Sequence, residues 1–379
     1  MAVRFLHTAD WQLGRGFAGL PPEVAGVVRE ARFEAVRRIA RLAVERRVDA
    51  VLVAGDAFDD NLVGAATCAR ALAAMRTFPG LWVMLPGNHD ADSAASVWSR
   101  LRAAGLPDNV LVAGEPAPLL LCDGAVAILP APLRARRIPD DLSAWMDAAA
   151  TPAGSLRIGL AHGSVQGLLP GEADASNPIA GDRAARARLD YLALGDWHGT
   201  LQVDPRTWYS GTPEPDRFTA NEPGHVLLVE IAGVGATPLV ERFATASHVW
   251  RTAELDCTGL AAEDATAALE GLLPPPERRH GTLLRLRLRG AVGLACRMAL
   301  DRAAERYGGE LCWLDLVTDG LVAEPDGQDL RALAGNPATA AAAAALQELA
   351  ASGPEAERDL ARHALRLLYA EAAAAERAA

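Results

Sequence analysis

Five apolar runs of this chain end in side chains that carry oxygen or nitrogen ligands. Val3–Thr8 is followed by Asp10 and Gln12 in TADWQLG, and Ala50–Ala54 by Gly55, Asp56 and Asp59 in AGDAFDDN. Leu81–Leu85 leads into Asn88, His89 and Asp90 in LPGNHD, Leu156–Ala161 into His162 in AHGS, and Tyr191–Leu194 into Asp196 and His198 in LGDWHGT. Carboxylates, carboxamides and imidazoles without cysteine suit divalent ions of the Mn, Fe or Zn type. Two such ions need a bridging carboxylate, for which Asp56 in the Gly-Asp turn is the natural candidate. A pair of this kind acidifies a shared water and clamps the oxygens of an in-line phosphoryl displacement. Taken singly, Asp10 or Asp196 reads as a helix N-cap, Asn88 as a turn former and His162 as a hydrogen-bonded core histidine. Asp59 and Asp90 read as supporting or capping residues. The recurrence of these types at five strand ends points to one polar site assembled from distant segments, because ligands of open α/β sheets bind beyond the carboxyl ends of the strands.

The elements that must position these residues alternate between short runs of Val, Leu, Ile and Ala and longer helical patterns, the mark of α/β layering with strands buried on both faces. Between residues 1 and 245 the strands are the five above together with Ala125–Leu129 and Val226–Ile231. Helices are expected from Glu23 to Arg47, with Val28, Ala31, Ala35, Ile39 and Leu42 at helical spacing, and from Val63 to Phe78. Residues 246–325 read as a smaller α/β domain: strand Val249–Leu255, helix Ala261–Leu273, strand Thr282–Leu288, helix Leu294–Tyr307 and strand Leu311–Val317. Residues 326–379 form an Ala-rich helical segment, underway by Leu330 and broken near Ser352-Gly353-Pro354. Its stripe Leu360, Ala364, Leu367, Leu368 either packs on its own domain or docks a partner.

Composition narrows the class. With 50% hydrophobic and 22% charged residues the chain is that of a soluble globular protein, and no run of about 18 apolar residues suggests a membrane span. The first strand begins at once, without a secretory leader. Cys68, Cys122, Cys257, Cys296 and Cys312 are scattered singly, as in a reducing cytoplasm. The net charge of −11 does not by itself suggest a nucleic-acid binder. Every basic residue is Arg, and Arg134, Arg136 and Arg137 form one cluster while Arg183, Arg186 and Arg188 form another. Such runs are solvated faces or contacts to a phosphate backbone. Trp11 and Trp197 read as packing beneath the site, with base stacking the alternative. No GK[ST] loop or Ser-His-Asp set appears, which argues against P-loop NTP hydrolysis and acyl transfer by this chain itself.

The order DxQ, GDxxD, GNHD, H and GDxH is similar to that of the calcineurin-like metallophosphoesterases, whose usual pattern is DxH, GDxxD, GNH[DE], H and GHxH. HTADWQLG, VDAVLVAGDAFDDN and WYSGTPEPDRF resemble the DNA-repair nuclease branch of SbcD type, over residues 1–245. The resemblance implies a layered sandwich of two β-sheets flanked by helices, with a capping domain and C-terminal helices that dock onto an SMC-like ATPase of the SbcC type. It also implies two divalent ions, Mn²⁺ foremost with Mg²⁺ or Fe²⁺ as alternatives. Asp10, Gln12, Asp56 and His198 would surround one, and Asp56, Asn88, His162 and Asp196 the other. His89 would be catalytic beside them, stabilising the pentavalent phosphorus or protonating the leaving oxygen. The implied activity is metal-dependent hydrolysis of DNA, chiefly exonucleolytic with some endonuclease activity, in a cytoplasmic, nucleoid-associated repair complex, with homodimerisation suggested by the family alone. Two departures stand out: Gln12 and Asp196 replace imidazoles, which moves the ligand set towards oxygen and harder ions. The competing functions are hydrolysis of small nucleotides or phosphodiesters, and a non-catalytic repair scaffold with a degenerate metal site.

Overall fold

The computed structural model describes residues 2–168, 176–323 and 336–378. The chain divides into two compact units, Met1–His248 and Val249–Ala379. The first holds two six-stranded sheets. One runs in the order Leu239–Ala244, His225–Ile231, Val3–Thr8, Ala50–Val53, Leu81–Met84, Val110–Val112, and the last four of these are parallel. The other runs Leu201–Asp204, Thr207–Tyr209, Tyr191–Gly195, Leu156–His162, Val126–Ala131, Leu119–Leu121, with a parallel centre of four strands and an antiparallel strand at each edge.

Side-chain alternation along each strand builds the layers. Phe5, Leu52, Val83, Ile128, Ile158, Leu160, Tyr191 and Val229 form one core to which both sheets contribute. Their neighbours Leu6, Val51, Val53 and Met84 join the helices on the outer face of the first sheet, and Leu129, Ala161, Leu192 and Leu194 form the outer cluster of the second. The unit is therefore a layered α/β sandwich whose central strands are apolar on both faces. The helix Pro22–Arg46 starts with proline in its first turn and buries Val28, Ala31, Ala35 and Ile39 at the expected spacing. It stops where Arg47 turns left-handed, with φ 52°, and its N–H returns to the carbonyls of Ala43 and Val44.

His7 is fully buried in this sandwich, 3.0 Å from the Tyr191 hydroxyl at Nδ1 and 3.1 Å from the Leu194 carbonyl at Nε2. Burial lowers its pKa to about 3, against a smaller opposing effect of the Leu194 bond. The unfolded chain, with an ordinary histidine near 6.5, therefore takes up a proton that the folded chain refuses. Stability from this residue is complete above about pH 6.5 and falls as the pH drops towards 3, by about 1.4 kcal/mol per pH unit. Chemical denaturation across this range is expected to show a shallower acid loss in His7→Gln, by about that slope.

In the second unit, Val249–Asp256, Thr282–Val292 and Trp313–Ala323 make a three-stranded parallel sheet around a core with Leu294–Gly308. The helix expected over Ala261–Leu273 is confined to Ala265–Glu270, because prolines at 274–276 and the turn before Ala265 leave only six helical residues. The strands expected to end at Leu288 and Val317 run on to Val292 and Ala323, where they continue to pair with each other. The helices Pro337–Ser352 and Glu355–Ala378 pack on each other through Ala343, Leu346, Leu365 and Leu368. The packed face thus centres on Ala361 and Leu365, whereas Leu360 and Leu367 of the expected stripe are 67% and 56% exposed. The start of the Ala-rich stretch, Leu330 and the boundary at 326, lies outside the described residues.

Candidate metal centre

The loops that leave the strands Val3–Thr8 and Ala50–Val53 continue to pair beyond the sheet. Asp10 N–H donates to the Gly55 carbonyl at 3.1 Å, Gln12 N–H to Asp56 at 2.9 Å and Leu13 N–H to Ala57 at 3.0 Å. This pairing holds Asp10, Gln12 and Asp56 in left-handed backbone, with φ of 55°, 42° and 54°, and Asp196 joins them at 99°. Conformations so sparsely populated persist where surrounding contacts over-determine them, and they cluster at functional sites. Two glycines make the approach feasible. A Cβ on Gly55 (φ +91°) would lie 2.1 Å from His162 Nδ1, and one on Gly87 would lie 2.2 Å from the Asp56 carboxylate.

The segments TADWQLG and LGDWHGT, each of which follows an apolar run with Asp-Trp and then an amide or imidazole side chain, meet here. The Asp196 N–H donates to both carboxylate oxygens of Asp10, at 3.1 and 3.2 Å. Asp10, Asp56 and His162, all buried, present ligand atoms within 4.8 Å of one another. His162 Nε2 lies 3.5 Å from Asp56 Oδ1 and 3.7 Å from Asp196 Oδ1. His162 Nδ1 donates to the Ala54 carbonyl at 2.8 Å, which directs the other ring nitrogen into the cluster. Asn88 Nδ2 donates to Asp196 Oδ1 at 3.1 Å, which leaves the amide oxygen facing the other way, and Ser164 Oγ donates to Asp196 Oδ2 at 3.1 Å. His162 Nε2 and Asn88 Oδ1 are buried and have no hydrogen-bond partner.

These atoms fit a divalent cation. Buried carboxylates, an unpartnered amide oxygen and an unpartnered imidazole nitrogen form a set of acceptors with too few donors, and a buried polar atom left unpaired is expensive. The electrostatics agree. Burial raises the Asp10 carboxyl to about 6, and Asp56 and Asp196 push in the same direction. Burial works to lower His162, yet Asp56, Asp10 and Asp196 outweigh it and bring the imidazole up to about 9. The negative charge of the cluster therefore calls for a proton or a cation to offset it.

His89 stands beside the cluster. Its backbone N–H donates to Asp56 Oδ1 at 2.9 Å and its Nδ1 to the Asp59 carbonyl at 2.7 Å, which leaves Nε2 available to a substrate. Asp90 ties the loops together by accepting from Gly87 N–H at 2.7 Å and Phe58 N–H at 3.1 Å, and burial, with Asp56 close by, raises its carboxyl to about 7. Gln12 and His198 are also neighbours, with Gln12 Nε2 3.3 Å from His198 Nε2. Their remaining partners are Arg15, Asp216 and Arg217, whose Nη2 lies 3.0 Å from His198 Nδ1. Arg15 donates to the Gln12 amide oxygen, and Asp216 Oδ2 lies 3.0 Å from His198 Nδ1 and 2.9 Å from Arg15 Nη1.

Several contributors do not stand out in the sequence. Buried Arg32 donates to the carbonyls of Trp11 (2.6 Å), Asp10 (3.1 Å) and Glu214 (3.1 Å), binding the first ligand loop to the GTPEPDRF segment. Arg32 sits at an interior position of a helix and Asp216 in a turn-rich loop, and neither position carries a local signal of burial. Trp11 is buried, stacks edge-on against Trp82 at 5.9 Å and donates to Thr8, so it packs beneath the site, while Trp197 lies half-buried against the outer cluster of the second sheet. Of the basic clusters, Arg183 is neither a solvated face nor a surface contact: it is buried and paired with Asp141 (2.6 Å) and Asp147 (2.5 Å). Arg136, Arg137 and Arg188 are exposed, and Arg134 pairs with Glu115.

The sequence profile of the calcineurin-like phosphoesterases matches residues 3–224, which takes in every strand end described above. The chain belongs to that family. It is 30% identical over 352 residues to the SbcD component of nuclease SbcCD from Rhodobacter capsulatus, covering 76% of this chain and 80% of that protein. It is 23% identical over 262 residues to the DNA double-strand break repair protein Mre11 of Methanosarcina acetivorans, across 67% of this chain and 41% of the relative. Similarity to the uncharacterized metallophosphoesterase YhaO of Bacillus subtilis is 26% over 208 residues, 52% of this chain and 48% of YhaO. The matches thus span less than half the length of the last two relatives. Among the described residues no helix is long and apolar enough to cross a membrane.

Proposed function

We propose that this calcineurin-like phosphoesterase is a metal-dependent phosphodiester hydrolase that acts on DNA, chiefly as an exonuclease, as part of a repair complex with an SMC-like ATPase. The observation that carries this reading is the carboxylate-rich cluster of Asp10, Asp56, Asn88, His162 and Asp196, with two buried polar atoms left without a hydrogen-bond partner, set beside His89. Carboxylates, an amide oxygen and one imidazole favour a hard ion such as Mn²⁺ or Mg²⁺ over Zn²⁺. A bound divalent ion would supply Lewis acidity at the phosphoryl oxygens and acidify the attacking water. The chain's own residues do the rest. Asn88 and Ser164 orient Asp196. Ala54 orients His162. Asp59 and Asp56 fix His89, whose Nε2 is placed to stabilise charge on the phosphoryl group or to give a proton to the leaving oxygen.

DNA as the substrate is supported by the similarity to SbcD and Mre11. The ATPase partner is supported by the exposed Leu360 and Leu367 on the C-terminal helical hairpin, an apolar surface of the kind that partner helices cover. The test is incubation of the purified chain with linear double- and single-stranded DNA and with a simple aryl phosphodiester, in Mn²⁺ and in EDTA. Degradation of DNA that needs Mn²⁺ and stops in EDTA is the expected result. Hydrolysis of the aryl diester alone would favour a small substrate, and inactivity on all substrates with no retained metal would favour a scaffold.

A further inference from the structure

We infer that the centre binds a single divalent ion, at Asp10, Asp56, Asn88, His162 and Asp196, and that its Gln12–His198 side is closed by hydrogen bonds to Arg15 and Asp216. This rests on the reading of the site as a metal centre and fixes how many ions it takes.

The two halves of the site differ in what their ligand atoms are doing. On one side Asn88 Oδ1 and His162 Nε2 are buried with no partner. On the other side no such atom remains. The Gln12 amide oxygen, the atom it would offer to a metal, accepts from Arg15 Nη1. The Gln12 amide nitrogen, a donor, faces His198 Nε2 at 3.3 Å, and His198 Nδ1 lies 3.0 Å from Asp216 Oδ2. Arg217 Nη2 also lies 3.0 Å from His198 Nδ1. Both ring nitrogens therefore face protein groups, Nδ1 the Asp216–Arg217 pair and Nε2 the Gln12 amide.

Charge points the same way. Arg15 Nη1 is 2.9 Å from Asp216 Oδ2, and Arg217 Nε lies 3.1 Å from Asp216 Oδ1. The local positive charge needed to balance this half of the site is therefore already supplied by arginine, and a divalent cation placed against Arg15 would meet like charge at short range. The Arg15 side chain is 27% exposed. Its remaining N–H groups can engage a phosphate oxygen, a task for which the planar guanidinium is suited. In this chain Arg15 takes the electrostatic place that a second ion would fill.

The experiment is equilibrium dialysis of the full chain against Mn²⁺, with bound metal measured by mass spectrometry, on the wild type, His198→Ala and the double variant Gln12→His with Arg15→Ala. Circular dichroism confirms that each is folded. The expected result is one ion per chain in the wild type, retained with unchanged affinity in His198→Ala, and a second ion in the double variant. Two ions in the wild type with one lost in His198→Ala would overturn the inference while leaving the metal centre intact. A double variant that stays at one ion at millimolar Mn²⁺ would overturn the role given to Gln12 and Arg15. No bound ion in the wild type would overturn both this inference and the metal reading, whereas one bound ion without hydrolysis would count against the proposed activity alone.

Discussion

Asp56→Asn is expected to abolish the Mn²⁺-dependent rise in melting temperature and to lower phosphodiester hydrolysis on the order of 10³-fold. The substitution removes charge and little else. An asparagine oxygen at the same place still accepts from the His89 N–H, now 2.9 Å from Asp56 Oδ1, so the loop that carries His89 keeps its anchor. What is lost is one of the buried carboxylates that surround His162 and raise its pKa to about 9. An ion that binds only the folded wild type stabilises it by about 2.7 kcal/mol at a hundredfold excess over Kd, which for a unit of this size is a rise of several degrees. Thermal melts with and without Mn²⁺ measure this directly. A Mn²⁺-induced rise of wild-type size in Asp56→Asn would remove Asp56 from the centre.

The second large effect separates chemistry from metal binding. His89→Ala is expected to lower hydrolysis by about 10²–10⁴-fold, the usual range for losing a positioned acid or base, with Mn²⁺ affinity unchanged. The basis is geometric: the ring is fixed by its bond to the Asp59 carbonyl, and the backbone, not the side chain, contacts Asp56. Single-turnover hydrolysis set against metal titration of the same preparation tests both halves. A parallel loss of metal would recast His89 as a ligand, and unchanged hydrolysis would leave it with a structural role.

The similarity between TADWQLG and LGDWHGT has a structural cause. Asp10 and Asp196 stand 186 residues apart, yet the backbone of one is bound to the carboxylate of the other. Each follows a strand that ends at the same edge of its sheet, and each adopts left-handed backbone that aspartate tolerates better than most residues. The same physics made the strands legible. Buried on both faces, they read as continuous apolar runs, and Val3–Thr8 is recovered to the residue. The strands Val110–Val112 and Leu119–Leu121 and the exposed edge strand Leu239–Ala244 carry no such pattern, being too short or too open to water for periodicity to mark them.

From the sequence alone came the types of residue at the strand ends, their order, and hence the ligand chemistry and the layered fold. Side-chain type and apolar periodicity are local properties, so one chain suffices to display them. Only the tertiary structure decided which of those ligand atoms are unengaged. Asn88 Oδ1 and His162 Nε2 are buried without a hydrogen-bond partner, whereas Gln12 and His198 contact Arg15, Asp216, Arg217 and each other. It also decided that Arg183 lies inside the protein and that the hairpin packs through Ala361 and Leu365. Apart from the contact of Arg15 with Gln12, three residues away, these outcomes depend on partners about twenty to nearly two hundred residues away, and a hydrogen bond is allocated by proximity in space, which the order of residues does not record.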